Sequence, residues 1–127
     1  MRVILVRHAE AAPGQPDAQR PLTAAGREAA QELAARLAAE APSVVLTSPL
    51  LRARETATPI AEAAGVTVQV DHRLAPGAGI DDLREVIVGR GEPVVVVGHQ
   101  PDCSDIVLAL TGEQVRFPPG GTCDVEV

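Results

Sequence analysis

Apolar residues gather in short, nearly unbroken runs, separated by longer stretches in which they recur every three or four positions, the pattern of buried strands alternating with amphipathic helices. Four runs read as strands: Arg2–Val6, Val44–Thr47, Val66–Val70 and Pro93–Val97. Runs without inside/outside alternation suit strands buried on both faces. The expected fold class is therefore α/β, a three-layer α/β/α sandwich with a mostly parallel central sheet. Thr122 to Val127 alternates as a final strand would, and an ending of that kind leaves open a longer natural chain.

The helical stretches carry start and stop signals. Thr23 is the expected N-cap of the first helix, with Ala30, Leu33, Ala34, Leu37 and Ala38 as its buried stripe and Pro42 closing the segment. Ser48 as N-cap and Pro49 at the first helical position start the second, because the N–H that proline lacks would be unpaired there anyway. Pro59 is expected to kink that helix or end its first half. Ile80, Leu83 and Ile87 suggest a third, shorter helix around Asp82 to Val88. A fourth follows Pro101, turns Ile106, Val107 and Leu110 inward and ends at Gly112. Glu10 to Pro21 is too broken by Ala, Pro and Gly for regular structure, and it lies just past the first strand, where active-site loops belong.

Composition narrows the class. A chain of 127 residues fits one domain, so residues 1–127 are expected to form a single unit. With 46% hydrophobic and 22% charged residues the chain is globular, and a single Phe with no Trp or Tyr leaves Val, Leu, Ile and Ala to pack its core. A net charge of −6 argues against a nucleic-acid or anionic-membrane surface, so any anion site is a local basic pocket. No secretory signal or membrane-length apolar stretch appears, and a cytoplasmic location is expected. Cys103 and Cys123 match no CxxC or zinc-ligand spacing and precede no arginine-ended phosphate loop, so both are expected to be reduced and structural.

Candidate chemistry falls at strand ends. Arg7-His8 ends the first apolar run and Gly98-His99-Gln100-Pro101 follows the run of valines. In an open α/β sheet the carboxyl ends of parallel strands form the ligand crevice, so both imidazoles would face one site. A neutral imidazole is a nucleophile, and the guanidinium beside it can hold an anionic phosphoryl group. Arg52, in Ser48-Pro49-Leu50-Leu51-Arg52-Ala53-Arg54-Glu55-Thr56-Ala57, lies one turn inside a helix that begins at the same edge, and its planar fork suits phosphate oxygens. Thr56 shares its face at i, i+4, whereas Arg54 points elsewhere by helical phase and reads as a solvated charge. The turn at His99 aims backbone N–H groups and a positive helix end at the crevice. Taken singly, His8 could merely hydrogen-bond a loop and His99 could be a satisfied supporting histidine; His72 has no comparable setting and reads as an ordinary surface residue.

The three motifs RHA, SPLLRARETA and GHQP, in this order, resemble the histidine phosphatase, or phosphoglycerate mutase-like, superfamily over nearly the whole chain. The short length, RHAEA, and Gln19-Arg20-Pro21-Leu22-Thr23 resemble its compact bacterial phosphohistidine phosphatases. The resemblance implies a phosphoglycerate mutase-like fold, His8 as nucleophile forming a phosphohistidine intermediate, and Arg7, Arg52 and His99 binding the phosphoryl oxygens. It implies no cofactor and no metal, two arginines serving as the charge clamp. One departure matters: many members place a carboxylate general acid after the third strand, and here that stretch reads Arg73-Leu74-Ala75-Pro76. Asp81 and Asp82, at a helix head, and Glu10 are weak substitutes. Without a strong acid, a phosphohistidine in a partner protein suits the site better than a phosphate ester, since imidazole leaves phosphorus with less protonation. A small-molecule phosphomonoesterase and a non-catalytic phosphate-binding module remain as alternatives. Arg20 either supports the site or substrate, or forms a salt bridge with Asp17.

Overall fold

The computed structural model describes residues 1–127. Nine regular elements follow in order: β1 (Arg2–Arg7), α1 (Ala24–Ala38), β2 (Val44–Thr47), α2 (Leu51–Ala64), β3 (Val68–Val70), α3 (Ile80–Val86), β4 (Val94–Gly98), α4 (Asp102–Thr111) and β5 (Thr122–Glu126). Short 3-10 turns occupy Asp17–Gln19 and His72–Leu74. The strands form one sheet in the order β3-β2-β4-β1-β5. β1 to β4 run parallel, and β5 is antiparallel on β1. This is the α/β fold with a mostly parallel sheet that the apolar runs predict.

Within each apolar run, alternate residues feed opposite layers, as a period of two requires. Val3, Leu5, Leu46, Val94 and Val96 pack with Leu83 and Val86 of α3, Ile106 and Val107 of α4, and Phe117. Ile4, Val6, Val45, Val95 and Val97 pack on the other face with Leu33 and Leu37 of α1 and Ala53, Ala57 and Ile60 of α2. Fully burying a Val, Leu or Ile contributes about 1.5–3 kcal/mol, so the two faces together outweigh any surface ion pair in the chain. The small Ala53 and Ala57, both fully buried, let the α2 backbone approach the sheet closely.

Several boundaries differ from the sequence expectation for identifiable reasons. α2 begins at Leu51 with Leu50 in the cap position, so Ser48 and Pro49 lie outside the helix. The Ser48 N–H instead donates to the Val97 carbonyl at 3.1 Å, extending the sheet contact, and its hydroxyl accepts from Leu50 N–H at 3.2 Å. Pro59 neither ends nor divides α2, which continues to the left-handed Gly65 (φ 69°). β3 starts at Val68 because the Val66 N–H closes the end of α2 on the Ala61 carbonyl at 3.0 Å. α3 starts earlier than expected, at Ile80, with Gly79 in the cap position and the Asp82 carboxylate, in the first turn, accepting from Gly79 N–H at 2.9 Å. Pro101 caps α4 rather than opening it, and Ala38 and Leu110 are only half-buried at the rim.

The loop after β1 is fastened to α1. The Glu10 carbonyl accepts from Thr23 N–H at 3.0 Å, the Thr23 hydroxyl donates to the Glu10 carboxylate at 2.7 Å, and the same hydroxyl caps Gly26 N–H at 3.0 Å. Gly26 sits against the Glu10 backbone so closely that a Cβ would collide with that carbonyl. Gly26→Ala is therefore expected to lower stability by about 1–3 kcal/mol through overpacking against rigid backbone. Urea unfolding checks this, and an unchanged midpoint contradicts the packing described.

Candidate active site

His8 is the first residue past β1, and its N–H donates to the Gly98 carbonyl at 3.1 Å, which ties it to the end of β4. Its Nδ1 lies 2.7 Å from the Ala9 carbonyl. A carbonyl can only accept, so Nδ1 carries the proton and Nε2 keeps a lone pair. Burial is the main cause holding the His8 pKa below the ordinary value; the bond to Ala9 opposes it, and the positive charges of Arg52, Arg7 and Arg20 add to it. The half-buried ring is thus neutral at neutral pH, with its lone pair on Nε2.

His99 meets it from β4, with ring centroids 5.3 Å apart and planes tilted by 58°. Only 3% of His99 is exposed. Burial, then the repulsion of His8 and Arg52, lowers its pKa to about 4, against a smaller opposing pull from Asp17. Nε2 lies 2.7 Å from the Ser48 hydroxyl, while Nδ1 is buried without a partner.

The guanidiniums come from two other directions. Arg7, the last residue of β1, donates through Nη1 to the Phe117 carbonyl at 2.9 Å, and its Nε is buried without a partner. Arg7 Nε and His99 Nδ1 are the buried side-chain polar atoms that find no hydrogen bond in the protein. Arg52, in the first turn of α2 and 7% exposed, donates to the Asp17 carbonyl at 2.9 Å and approaches its carboxylate at 3.3 Å. Thr56 joins α2 to the loop after β1: its hydroxyl donates to the Arg52 carbonyl at 2.9 Å and accepts from Ala9 N–H at 3.0 Å. The i, i+4 relation of Arg52 and Thr56 thus becomes a bond between helix and β1 loop.

All four predicted residues, His8, Arg7, Arg52 and His99, gather at the carboxyl ends of β1, β2 and β4. Arg20 pairs with Asp17 at 3.0 Å and also donates to the Ala12 carbonyl at 2.8 Å. Asp17 therefore bridges Arg20 and Arg52, and these two arginines hold its carboxyl below its usual range, the hydrogen bond from Arg20 counting most. The salt bridge to Asp17 is one of the two alternatives the sequence leaves for Arg20; the contact of Asp17 with Arg52 is not foreseen, because nothing in an irregular loop fixes which helix it touches. Sequence reading also missed Ser48 as the partner of His99. The remaining candidates lie elsewhere: Arg54 is exposed, donating to Pro49; His72 is exposed in its turn; Asp81 is exposed near Arg84; Asp82 caps α3 and Glu10 bonds Thr23. Cys103 is buried and its thiol is pushed up to about 12 by that burial, and neither cysteine forms a disulfide. No cluster of three or more His, Cys, Asp or Glu is placed to hold a metal ion.

Two imidazoles, two guanidiniums and two unpaired buried nitrogen atoms thus meet at the carboxyl edge of the parallel strands of an α/β protein. Residues 3–76 match the histidine phosphatase superfamily (branch 1), and the chain belongs to that family. An uncharacterized protein of Picosynechococcus sp. is 35% identical over 95% of this chain and 82% of its own. The structure of the protein histidine phosphatase SixA complexed with tungstate superposes with a TM-score of 0.88 at 26% identity, covering 100% of this chain and 88% of the other. A protein assigned as the phosphohistidine phosphatase SixA of Agrobacterium tumefaciens gives 0.83 at 28% identity, covering 97% and 88%. Mycobacterial glucosyl-3-phosphoglycerate phosphatase, at 20% identity, covers 98% of this chain and 90% of its own with a TM-score of 0.78, and shares the fold.

The buried neutral imidazoles link stability to pH. Between the unfolded pKa of 6.5 and the folded value of about 4, the unfolded chain binds a proton at His99 that the folded chain does not, so stability is full above pH 6.5 and lost as pH falls toward 4. His99 contributes about 3 kcal/mol to this loss, and His8 acts in the same direction. Urea titrations from pH 7 to 4 are expected to show the decline, shallower in His99→Gln; equal slopes in the two proteins contradict the assignment.

Proposed function

We propose that the protein hydrolyses phosphohistidine in partner proteins through a covalent phospho-His8 intermediate, without a metal or cofactor. The observation that carries this reading is the free Nε2 of His8 set beside unpartnered Arg7 Nε and His99 Nδ1. Arg7, Arg52 and His99 bind the phosphoryl oxygens. The Nε2 lone pair attacks phosphorus in line, the bond from phosphorus to the substrate imidazole breaks, and that electron pair leaves on the imidazole nitrogen. Water then attacks phosphorus, the bond to Nε2 breaks, and phosphate departs with His8 restored. Charge spreads over three equatorial oxygens, so fixed donors supply most of the rate and the two cations fill the role a metal plays in other phosphoryl-transfer sites.

The acids support the choice of substrate. Expelling an alkoxide at neutral pH requires a proton donor worth about 10²–10⁴-fold. Here Ala75-Pro76 occupies the segment where relatives of the family carry an acid, Glu10 is committed to Thr23, and Asp82 to Gly79. An imidazole whose other ring nitrogen carries a proton leaves as a neutral base, and so needs much less help from a protein acid. A cytoplasmic phosphoprotein fits this reading, and the alternative, a small-molecule phosphomonoesterase, uses the same four residues.

Phosphohistidine protein and p-nitrophenyl phosphate, whose leaving groups need little protonation, are expected to turn over at least about 10²-fold faster than phosphoglycerate. Equal rates on phosphohistidine protein and phosphoglycerate refute the leaving-group argument. His8→Ala is expected to abolish turnover, Arg52→Ala to slow it about 10²–10³-fold, and chelator to leave it unchanged. Full activity of His8→Ala, or its loss on chelation, overturns the mechanism.

A further inference from the structure

Ser48 was expected to cap a helix, yet it stands outside α2, is completely buried, and lies 2.7 Å from His99 Nε2. We infer that Ser48 is a positioning residue, its hydroxyl donating to His99 Nε2 and so holding His99 as the tautomer with its proton on Nδ1. The inference rests on the phosphatase reading only for the identity of the anion that this proton meets.

A hydrogen-bond count decides between the two tautomers. The Ser48 hydroxyl oxygen accepts from Leu50 N–H at 3.2 Å, and its only other partner is His99 Nε2. If Nε2 carried the proton, it would donate to Ser48; the Ser48 hydroxyl proton would then have no acceptor, and His99 Nδ1 would be a bare buried lone pair with no donor. If Nδ1 carries the proton, Ser48 is satisfied on both sides, and one group is left over: an Nδ1–H. A phosphoryl oxygen accepts only, so the leftover donor is the one a bound anion completes, whereas the leftover lone pair of the other tautomer would repel it.

Tautomer choice carries weight here because His99 cannot rely on charge. Burial keeps the ring neutral through the working range, so its ability to donate depends on which nitrogen holds the single proton. The backbone fixes the pair: Ser48 N–H bonds the Val97 carbonyl at 3.1 Å, and Thr47 is in register with Val97 across β2 and β4. Ser48 thus continues β2 opposite Gly98, the last residue of β4, and His99 follows Gly98, so the sheet register brings the hydroxyl and the ring to the same edge.

The chain has three histidines, so long-range ¹⁵N–¹H correlation of the imidazole rings in the wild-type protein at neutral pH reads the tautomer directly. The expected result is a protonated Nδ1 and a bare Nε2 at His99; a protonated Nε2 overturns the proposal without any variant. Ser48→Ala is expected to return His99 to a mixture or to the Nε2–H form and to weaken tungstate binding about tenfold, the loss of one neutral donor. Ser48→Thr, which keeps the hydroxyl, is expected to restore the Nδ1–H signal. A drop in tungstate affinity in Ser48→Ala with the tautomer unchanged means Ser48 merely packs, and the proposal fails. Should the tautomer shift as expected while wild type turns over no phosphoryl substrate, the phosphatase reading fails and the role of Ser48 stands.

Discussion

Parallel pairing of β1 with β4 is the constraint on which the site depends. In that register Arg7 lies opposite Gly98, so the residue following each, His8 and His99, emerges beside the other. The bond from His8 N–H to the Gly98 carbonyl carries that match past the strand end, while Gly120 N–H, 3.1 Å from the carbonyls of both Arg7 and His8, holds the same turn from the β5 side. Shifting β1 by one residue would turn Ile4 and Val6 from the α1–α2 core to the opposite face and exchange them with Val3 and Leu5. The same burial that stabilises the sheet therefore holds the two imidazoles 5.3 Å apart.

Burial also sets the electrostatics. His8 and His99 are kept neutral mainly by desolvation, with Arg52 and Arg7 adding to the effect at both rings and Arg20 at His8. Asp17 is the carboxylate that contacts two of those cations, in a chain whose overall charge is −6. The positive charge of the site is thus local, set in a chain that is acidic as a whole. Arg52 is anchored at both ends: its guanidinium rests on Asp17 and its carbonyl on Thr56, which in turn holds Ala9. Anchoring of this kind fixes the guanidinium in place ahead of any ligand.

The strands and the four strand-end residues were legible because hydrophobic runs and the residues that stop them are local features. Val3 to Val6 and Val94 to Val97 announce buried strands, and Arg7-His8 and Gly98-His99 can only follow them. Ser48 was misread because Ser-Pro is a sound local start signal for a helix, and only the pairing of β2 with β4 brings its hydroxyl to His99. A salt bridge between Asp17 and Arg20 was one of two open readings of that loop, whereas the contact of Asp17 with Arg52 depends on how a 3-10 turn lies over α2. The half-burial of Ala38 and Leu110 and the early start of α3 are rim effects that periodicity does not resolve. What escaped the sequence was thus long-range hydrogen bonding, the information that side-chain chemistry alone does not carry.

Rapid acid-free quenching during turnover of a phosphohistidine protein, followed by mass mapping of the phosphoryl group, tests the central claim most directly. The account predicts a transient, acid-labile and base-stable phosphoryl group on Nε2 of His8, absent from His8→Ala. Turnover with the label on any other residue, or turnover with no covalent label under conditions where phosphohistidine survives, would contradict it.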